Sequence, residues 1–276
     1  MVDKNAPIAF LHIPKTAGMT LHEILTDQYP TTKHKLIYTV DYTKTYTQLT
    51  EDKKKKIGVV KGHFLYGLHE NMPYNPIYIT FLRNPIARTI SGYEFIKIYK
   101  SHPFYKEINE KNISLKDFLK NKCIANFDNI HVRFLCGDNS MKFGEITEQH
   151  LELAKKNLSQ SNLLIGITEK FDESILYFKN FLGWENPYYA KVNVSKISLT
   201  KQQSIDEETK LTIMDCNKFD LQLYEFAQLK FQEQINSLGS GFGEEVVKFK
   251  NENEQRQAKL KRRNYFRSFY TRFTQR

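Results

Sequence analysis

The chain has 276 residues, enough for one large domain or two small ones. It is 40% apolar and 26% charged, which excludes disorder throughout, and no run of about 18 apolar residues is present to cross a membrane as a helix. The net charge of +10 is uneven: residues 248–276 hold ten basic and two acidic side chains, a tail of +8 that leaves +2 for residues 1–247, so overall basicity is no argument for nucleic-acid binding.

Residues 8–13 form a short apolar run that predicts a buried strand, too short for the apolar region of a signal peptide. Residues 14–19 break it, and 20–28 read as a helix with Leu21, Ile24 and Leu25 on one face. A second strand is expected at 36–40. A helix over 45–56 follows, ending in four lysines that suit a solvated helix end better than an anion site. Strands at 57–61 and 77–82 precede a helix over 85–99 with proline in its first turn. Segments 114–120, 126–135 and 147–158 read as helices, 163–168 as a strand, and 171–181 and 204–238 as helices. Strands alternating with helices argue an α/β fold around a mainly parallel sheet. The glycine-rich stretch 239–243 reads as a hinge, dividing a domain at 1–238 from a basic, aromatic-rich helical tail within 239–276. Cys123, Cys136 and Cys216 are an odd count without metal-ligand spacing, which argues against a disulfide framework or a zinc site and fits a reducing cytoplasm.

Two segments carry chemistry. His12-Ile13-Pro14-Lys15-Thr16-Ala17-Gly18-Met19-Thr20 runs from a strand into a helix, where unpaired backbone amides and the helix dipole meet an anion. Lys15 adds a mobile charge, and Thr16 and Thr20 add hydroxyls. The order of residues is not that of a Walker loop, whose glycine stands directly before the lysine. The second segment, Phe81-Leu82-Arg83-Asn84-Pro85 through Ser91 and Tyr93, places Arg83 at a strand end, where its planar fork suits a phosphate. Two anion sites on one sheet suggest a ligand carrying phosphates at two places.

Together these segments resemble the PAPS-dependent carbohydrate sulfotransferases, in particular the branch that includes the uronyl 2-O-sulfotransferases. The first resembles the 5′-phosphosulfate loop and the second the 3′-phosphate motif; the likeness extends to Gly62-His63-Phe64, Gly166-Ile167-Thr168-Glu169 and residues 217–224, and covers roughly 7–230. The resemblance implies a P-loop-like sulfotransferase fold and a metal-free in-line transfer of a sulfuryl group from PAPS to a sugar hydroxyl, leaving PAP. It implies that the backbone of Thr16, Ala17, Gly18 and Met19 and the Thr20 hydroxyl hold the 5′-phosphosulfate. Lys15 would stabilise the leaving oxygen, and Arg83 and Ser91 would grip the 3′-phosphate. His63 is the implied general base, with Lys61 standing where some members carry a second histidine. A lone histidine after a strand is more often structural; the two flanking motifs favour the base.

Weaker candidates are His131 and Arg133 at the acceptor, Arg133 meeting an anionic acceptor or the cofactor or forming an ordinary surface ion pair, and Lys196, a cofactor-covering or solvated loop lysine. His12 reads as packing, and Trp184 as core or rim rather than a sugar platform. A nucleotide-dependent kinase and a non-catalytic anion-binding adaptor are the alternatives. The expected setting is bacterial and cytoplasmic, with a glycan or glycolipid acceptor. The tail is expected at the inner membrane face or packed on the body.

Overall fold

The structure, a computed structural model, describes residues 6–29, 35–39, 49–72, 74–122, 124–138, 140–190 and 205–274; for 35–39, 71, 122 and 261–274 it describes the backbone alone. Five strands, β1 (Ile8–Leu11), β2 (Lys35–Thr39), β3 (Ile57–Gly62), β4 (Ile77–Leu82) and β5 (Leu163–Ile167), form one parallel sheet in the order β2-β3-β1-β4-β5. Successive strand side chains point to opposite faces, and both faces are covered, so the strands read as continuous apolar runs. Ile8 and Phe10 pack with Leu21, Ile24 and Leu25 of α1 (Gly18–Gln28) and with Phe178 of α8 (Phe171–Leu182). Ala9 and Leu11 face the other way, onto α6 (Ile130–Cys136), α7 (Glu148–Leu158) and α10 (Lys218–Asn236). Gly166 is required by this packing, since a Cβ there would lie 2.6 Å from the Phe81 ring.

A third apolar cluster joins α3 (Pro85–Ile98), α4 (Tyr105–Glu110), α5 (Leu115–Lys122) and α9 (Glu207–Cys216). Here the sequence expectation needs correcting. The single helix expected over 204–238 is two, α9 and α10. They are parted at Asn217, whose backbone leaves the helix (φ −126°, ψ 29°) and whose buried amide donates to the carbonyls of Ile213 and Phe127. The helix expected at 126–135 is a 3-10 turn, Ala125–Phe127, followed by α6, with Asn129 between them at φ 48°. Asn129 stays there because its side-chain oxygen Oδ1 accepts from the backbone amides of Phe219 and Asp220. Of the helix expected over 45–56, α2 (Glu51–Lys55) is present, and residues 45–48 lie outside the described residues.

The last helix, α11 (Phe242–Thr274), follows Gly239 at φ 86°. Its first half is seated on the body. Phe242, Val246 and Phe249 join the cluster that holds Phe81 and Trp184, and the Tyr188 ring stacks on Phe249 at 5.5 Å. Beyond Leu260, the tail aromatics Tyr265, Phe266, Phe269, Tyr270 and Phe273 have side chains outside the described residues.

Register fixes what comes next. Leu11 is level with Gly62 on β3 and with Thr80 on β4, and Leu82 is level with Ile167 on β5. The segments after β1, β3, β4 and β5 therefore leave the sheet along one edge, at its carboxyl ends, where open α/β sheets bind ligands.

Candidate active site

The turn after β1 is built as a cradle of amides. Lys15 and Ala17 both sit in the left-handed region, at φ 72° and 64°. Alternation of that kind aims successive N–H groups into one concavity. Gly18 then opens α1, and only glycine fits, because a Cβ there would lie 1.9 Å from His12 Nε2. Thr16 is fully buried, and its hydroxyl donates to the Ile13 carbonyl at 2.8 Å. It therefore shapes the turn with its side chain and offers the ligand its amide. Thr20 is buried in the first turn of α1, and Met19 is exposed beside it.

Arg83 crosses from β4 to this turn, where Nη1 donates to the Lys15 carbonyl at 3.0 Å. The backbone around it is clamped. Asn84 caps α3 by accepting from the amides of Ile86 and Ala87, while its own amide donates to Glu169, whose other oxygen accepts from Tyr224. Ser91 lies partly buried on α3, two turns in. Behind Arg83 sits Arg88, 2% exposed. Its Nη2 donates to the Asn126 carbonyl, and its Nε has no partner among the described residues.

These cations depress one another. Burial, then Arg83, then Arg88 pull the Lys15 ammonium down to about 8. Burial lowers Arg83 as well, with Glu169 and Tyr224 opposing, and burial, with Asp220 opposing and Arg83 adding, brings Arg88 to about 10. A buried cluster of like charge at a nest of free amides is short of negative charge, and a phosphate or sulfate ester supplies it.

His63 follows β3 directly. Its Nδ1–H donates to the His12 carbonyl at 2.7 Å, and its ring lies 4.4 Å from the His12 ring. A carbonyl can only accept, so the proton is on Nδ1 and the lone pair is on Nε2. Burial lowers the pKa of His63, partly offset by that hydrogen bond. His12 is 6% exposed; its Nδ1 is 3.2 Å from His22 Nε2. Burial is the first cause that drives His12 to about 2 and His22 to about 3, so both rings are neutral. His12 is thus a packing residue with two duties, filling the space under Gly18 and orienting His63. Lys61 lies behind this group, its ammonium donating to the His22 carbonyl and to the Thr26 hydroxyl.

Lys15–Thr20, Arg83 and His63 are thus placed at one sheet edge, and Ser91 lies on α3, which starts there. Others are not. His131 and Arg133, expected at the acceptor, are 0% and 1% exposed. The Arg133 guanidinium is consumed internally by Asp128 and by the carbonyls of Met141 and Lys142. Nδ1 of His131 lies 3.2 Å from Asp220 Oδ2, without hydrogen-bond geometry, and the same carboxylate accepts from the amides of His131 and Val132 to hold the start of α6. An amphipathic helix would have shown one of them to solvent; α6 is buried on every side. Trp184 is core, donating to the Tyr29 hydroxyl. Lys196 lies outside the described residues. Sequence reasoning missed Arg88 as a member of the cationic cluster; its spacing from Arg83 across the α3 cap was the available signal.

The galactose-3-O-sulfotransferase family model matches residues 2–264. Heparan sulfate 2-O-sulfotransferase 1 of Xenopus laevis is 26% identical to this chain over 259 residues, covering 83% of it and 72% of the relative. Galactose-3-O-sulfotransferase 3 of Mus musculus is 23% identical over 277 aligned positions, covering 92% of this chain and 62% of that protein. A solved structure of mouse sulfotransferase SULT7A1 complexed with PAP is similar over 74% of this chain and 64% of its own, at 16% identity and a TM-score of 0.40. With nearly the whole chain inside the match, from before β1 into α11, the protein belongs to the galactose-3-O-sulfotransferase family.

Proposed function

We propose that this sulfotransferase moves a sulfuryl group from PAPS to a secondary ring hydroxyl of a glycan, with His63 as general base and Lys15 as the charge that receives the leaving oxygen. The observation that carries it is the pairing of a cation-rich amide nest with a histidine whose tautomer is fixed, joined through His12. The ring hydroxyl is inferred from the names of the relatives, which specify 2-O and 3-O transfer.

PAPS supplies an activated sulfuryl group on a phosphate leaving group. The chain supplies the rest. Amides of Thr16–Met19 face the 5′ end of the donor, and Arg83 and Ser91 face its 3′-phosphate. His63 Nε2 accepts the acceptor's proton as its oxygen bonds to sulfur, and a general base in this role contributes roughly 10²–10⁴-fold. The electron pair of the breaking S–O bond goes to the phosphate oxygen, where Lys15 meets the developing charge. A kinase is disfavoured by Thr16: the hydroxyl that a Walker loop offers to magnesium is here turned into the Ile13 carbonyl.

Calorimetry with PAP and with ADP, followed by transfer of labelled sulfate from PAPS across a glycan panel, tests this. Micromolar PAP binding that ADP does not match, with label entering glycan, is expected. Equal affinity for ADP, or label transfer that needs ATP, would overturn it.

A further inference from the structure

The face of α3 that carries Ser91 continues past the anion site. Ser91, Phe95, Tyr99 and His102 follow one another at spacings of four, four and three, which keeps them on one side of a helix and its first turn beyond. Phe95 and Tyr99 are 37% and 49% exposed, yet ordered against each other, with ring centroids 5.0 Å apart and planes 19° from parallel. His102 meets Phe95 edge-on at 6.5 Å. Neighbouring Ile98 is 75% exposed. Contiguous exposed apolar surface of this kind marks a binding face.

What ties this face to the chemistry is Lys15, whose ammonium lies 4.4 Å from the centre of the Phe95 ring. Lys15 covers one face of Phe95 and Tyr99 stacks on the ring, so a ligand that packs against the exposed edge of Phe95 is beside the residue that acts on the breaking bond. We propose that the exposed edges of the stacked Phe95 and Tyr99 rings form the platform against which the apolar C–H face of the acceptor pyranose packs, presenting its hydroxyl toward Lys15 and His63. This rests on the glycan sulfotransferase function proposed above and adds where the sugar sits. A pyranose fits because one of its faces is a sheet of C–H groups while its rim is hydroxyls. The exposed edges of the stacked rings, with Ile98 beside them, take the first, and the polar edge of the site takes the second. The continuity with Lys15 favours the acceptor over a protein partner, which would need no such contact. The phosphate-binding residues sit a turn or more back along α3, which leaves Phe95 and Tyr99 to the other substrate.

The test uses Tyr99→Leu, which touches neither Lys15 nor the core, together with Phe95→Leu and the conservative Phe95→Tyr. PAP affinity is measured by calorimetry, and acceptor KM with the best glycan of the panel. Saturation-transfer NMR of methyl β-galactoside is recorded on PAP-loaded protein, so that binding is read independently of turnover. Tyr99→Leu is expected to leave PAP affinity within twofold, raise acceptor KM about tenfold with kcat little changed, and abolish saturation of the sugar's ring protons. Phe95→Tyr should retain all three wild-type values. Unchanged KM and unchanged saturation in Tyr99→Leu would overturn the platform, as would a fall in PAP affinity matching the rise in KM, which would give these rings to the nucleotide. An effect confined to kcat in Phe95→Leu would reduce Phe95 to a positioning residue for Lys15 and also overturn it. If the wild-type protein binds PAP no better than ADP, it is the sulfotransferase chemistry that fails, and the galactoside NMR still decides whether the platform takes sugar.

Discussion

Lys15 gives the sharpest test of the cationic cluster, because its charge is divided between two states. In the free protein its ammonium is held to about 8, against an ordinary 10.5, by burial, Arg83 and Arg88. PAP would bring phosphates that are doubly ionised above about pH 7.5, since their second ionisation lies near 6. With that charge in place the ammonium returns toward its ordinary value. Binding must then draw in a proton, by about 0.1 per PAP at pH 7 and about 0.9 at pH 9, and affinity should weaken roughly tenfold between them. Calorimetry at pH 9 in buffers of different ionisation enthalpy reads the uptake directly. His63, lowered below 6.5, does not titrate in this range. Lys15→Met should remove both the proton uptake and the pH dependence.

The same shift has a consequence for stability. A lysine whose folded pKa is depressed binds fewer protons than the unfolded chain between about 8 and 10.5, so its contribution improves as pH rises through that window, and at pH 7 the crowded charge is a burden. A shift of this size is on the order of 3 kcal/mol, reduced by the solvent that still reaches the group. Lys15→Met is therefore expected to melt several degrees higher than wild type at pH 7 without ligand, while losing turnover. Wild-type binding at pH 9 with no proton uptake, together with an unchanged melting temperature in Lys15→Met, would refute the crowding of charge at this nest.

Arg83→Ala should weaken PAP binding by roughly 2–3 kcal/mol, seen by calorimetry, and should also loosen the turn it ties through the Lys15 carbonyl; equal affinity would remove Arg83 from the phosphate site. His63→Ala should lose roughly 10²–10⁴-fold in kcat with PAP affinity kept. Because the folded pKa of His63 is lowered, the wild-type acid limb of kcat/KM should fall below pH 6.5, and an acid limb above that value would point to another base. Gly18→Ala places a Cβ against the His12 ring and should impair PAP binding and turnover together; a fully active variant would show that His12 does not hold the loop and the base in common. Deleting residues 261–276, which carry six basic side chains and no acid, should leave PAP binding intact and abolish co-sedimentation with anionic vesicles; full-length protein that ignores such vesicles at low salt would remove the tail from membrane contact.

Strand positions were legible because both faces of this sheet are covered, so β1, β4 and β5 are short, mainly apolar runs between polar loops. The strand-to-helix setting of the two candidate anion motifs was legible for a related reason: each follows such a run and opens a helix. Inward-turned polar residues were not. Arg133 and His131 carry the residue types of a binding surface, and only the positions of Asp128, Met141 and Asp220 show that their partners are internal. Asn217 breaks a strongly helical stretch by bonding to Phe127, ninety residues away, which no local pattern reveals. The pairing of Lys15 with Phe95 is of the same kind, made by the turn after β1 reaching the last turn of α3.

On the proposed mechanism, the site divides its charge as the reaction requires. The leaving side would need cations, and Lys15 and Arg83 stand after β1 and β4, with Arg88 buried behind them on α3. The attacking side needs a base that stays neutral close to those cations. A carboxylate behind His63 would orient it, but would also raise its pKa and draw Lys15 away from the donor. The His12 carbonyl orients His63 without a net charge, and burial keeps His12 and His22 neutral behind it. His12 also supports Gly18 from below, so displacement of the anion loop displaces the base with it. Positioning of donor and base is thereby made one structural property, which is what an in-line transfer demands, because the attacking oxygen, the sulfur and the leaving oxygen must share one axis.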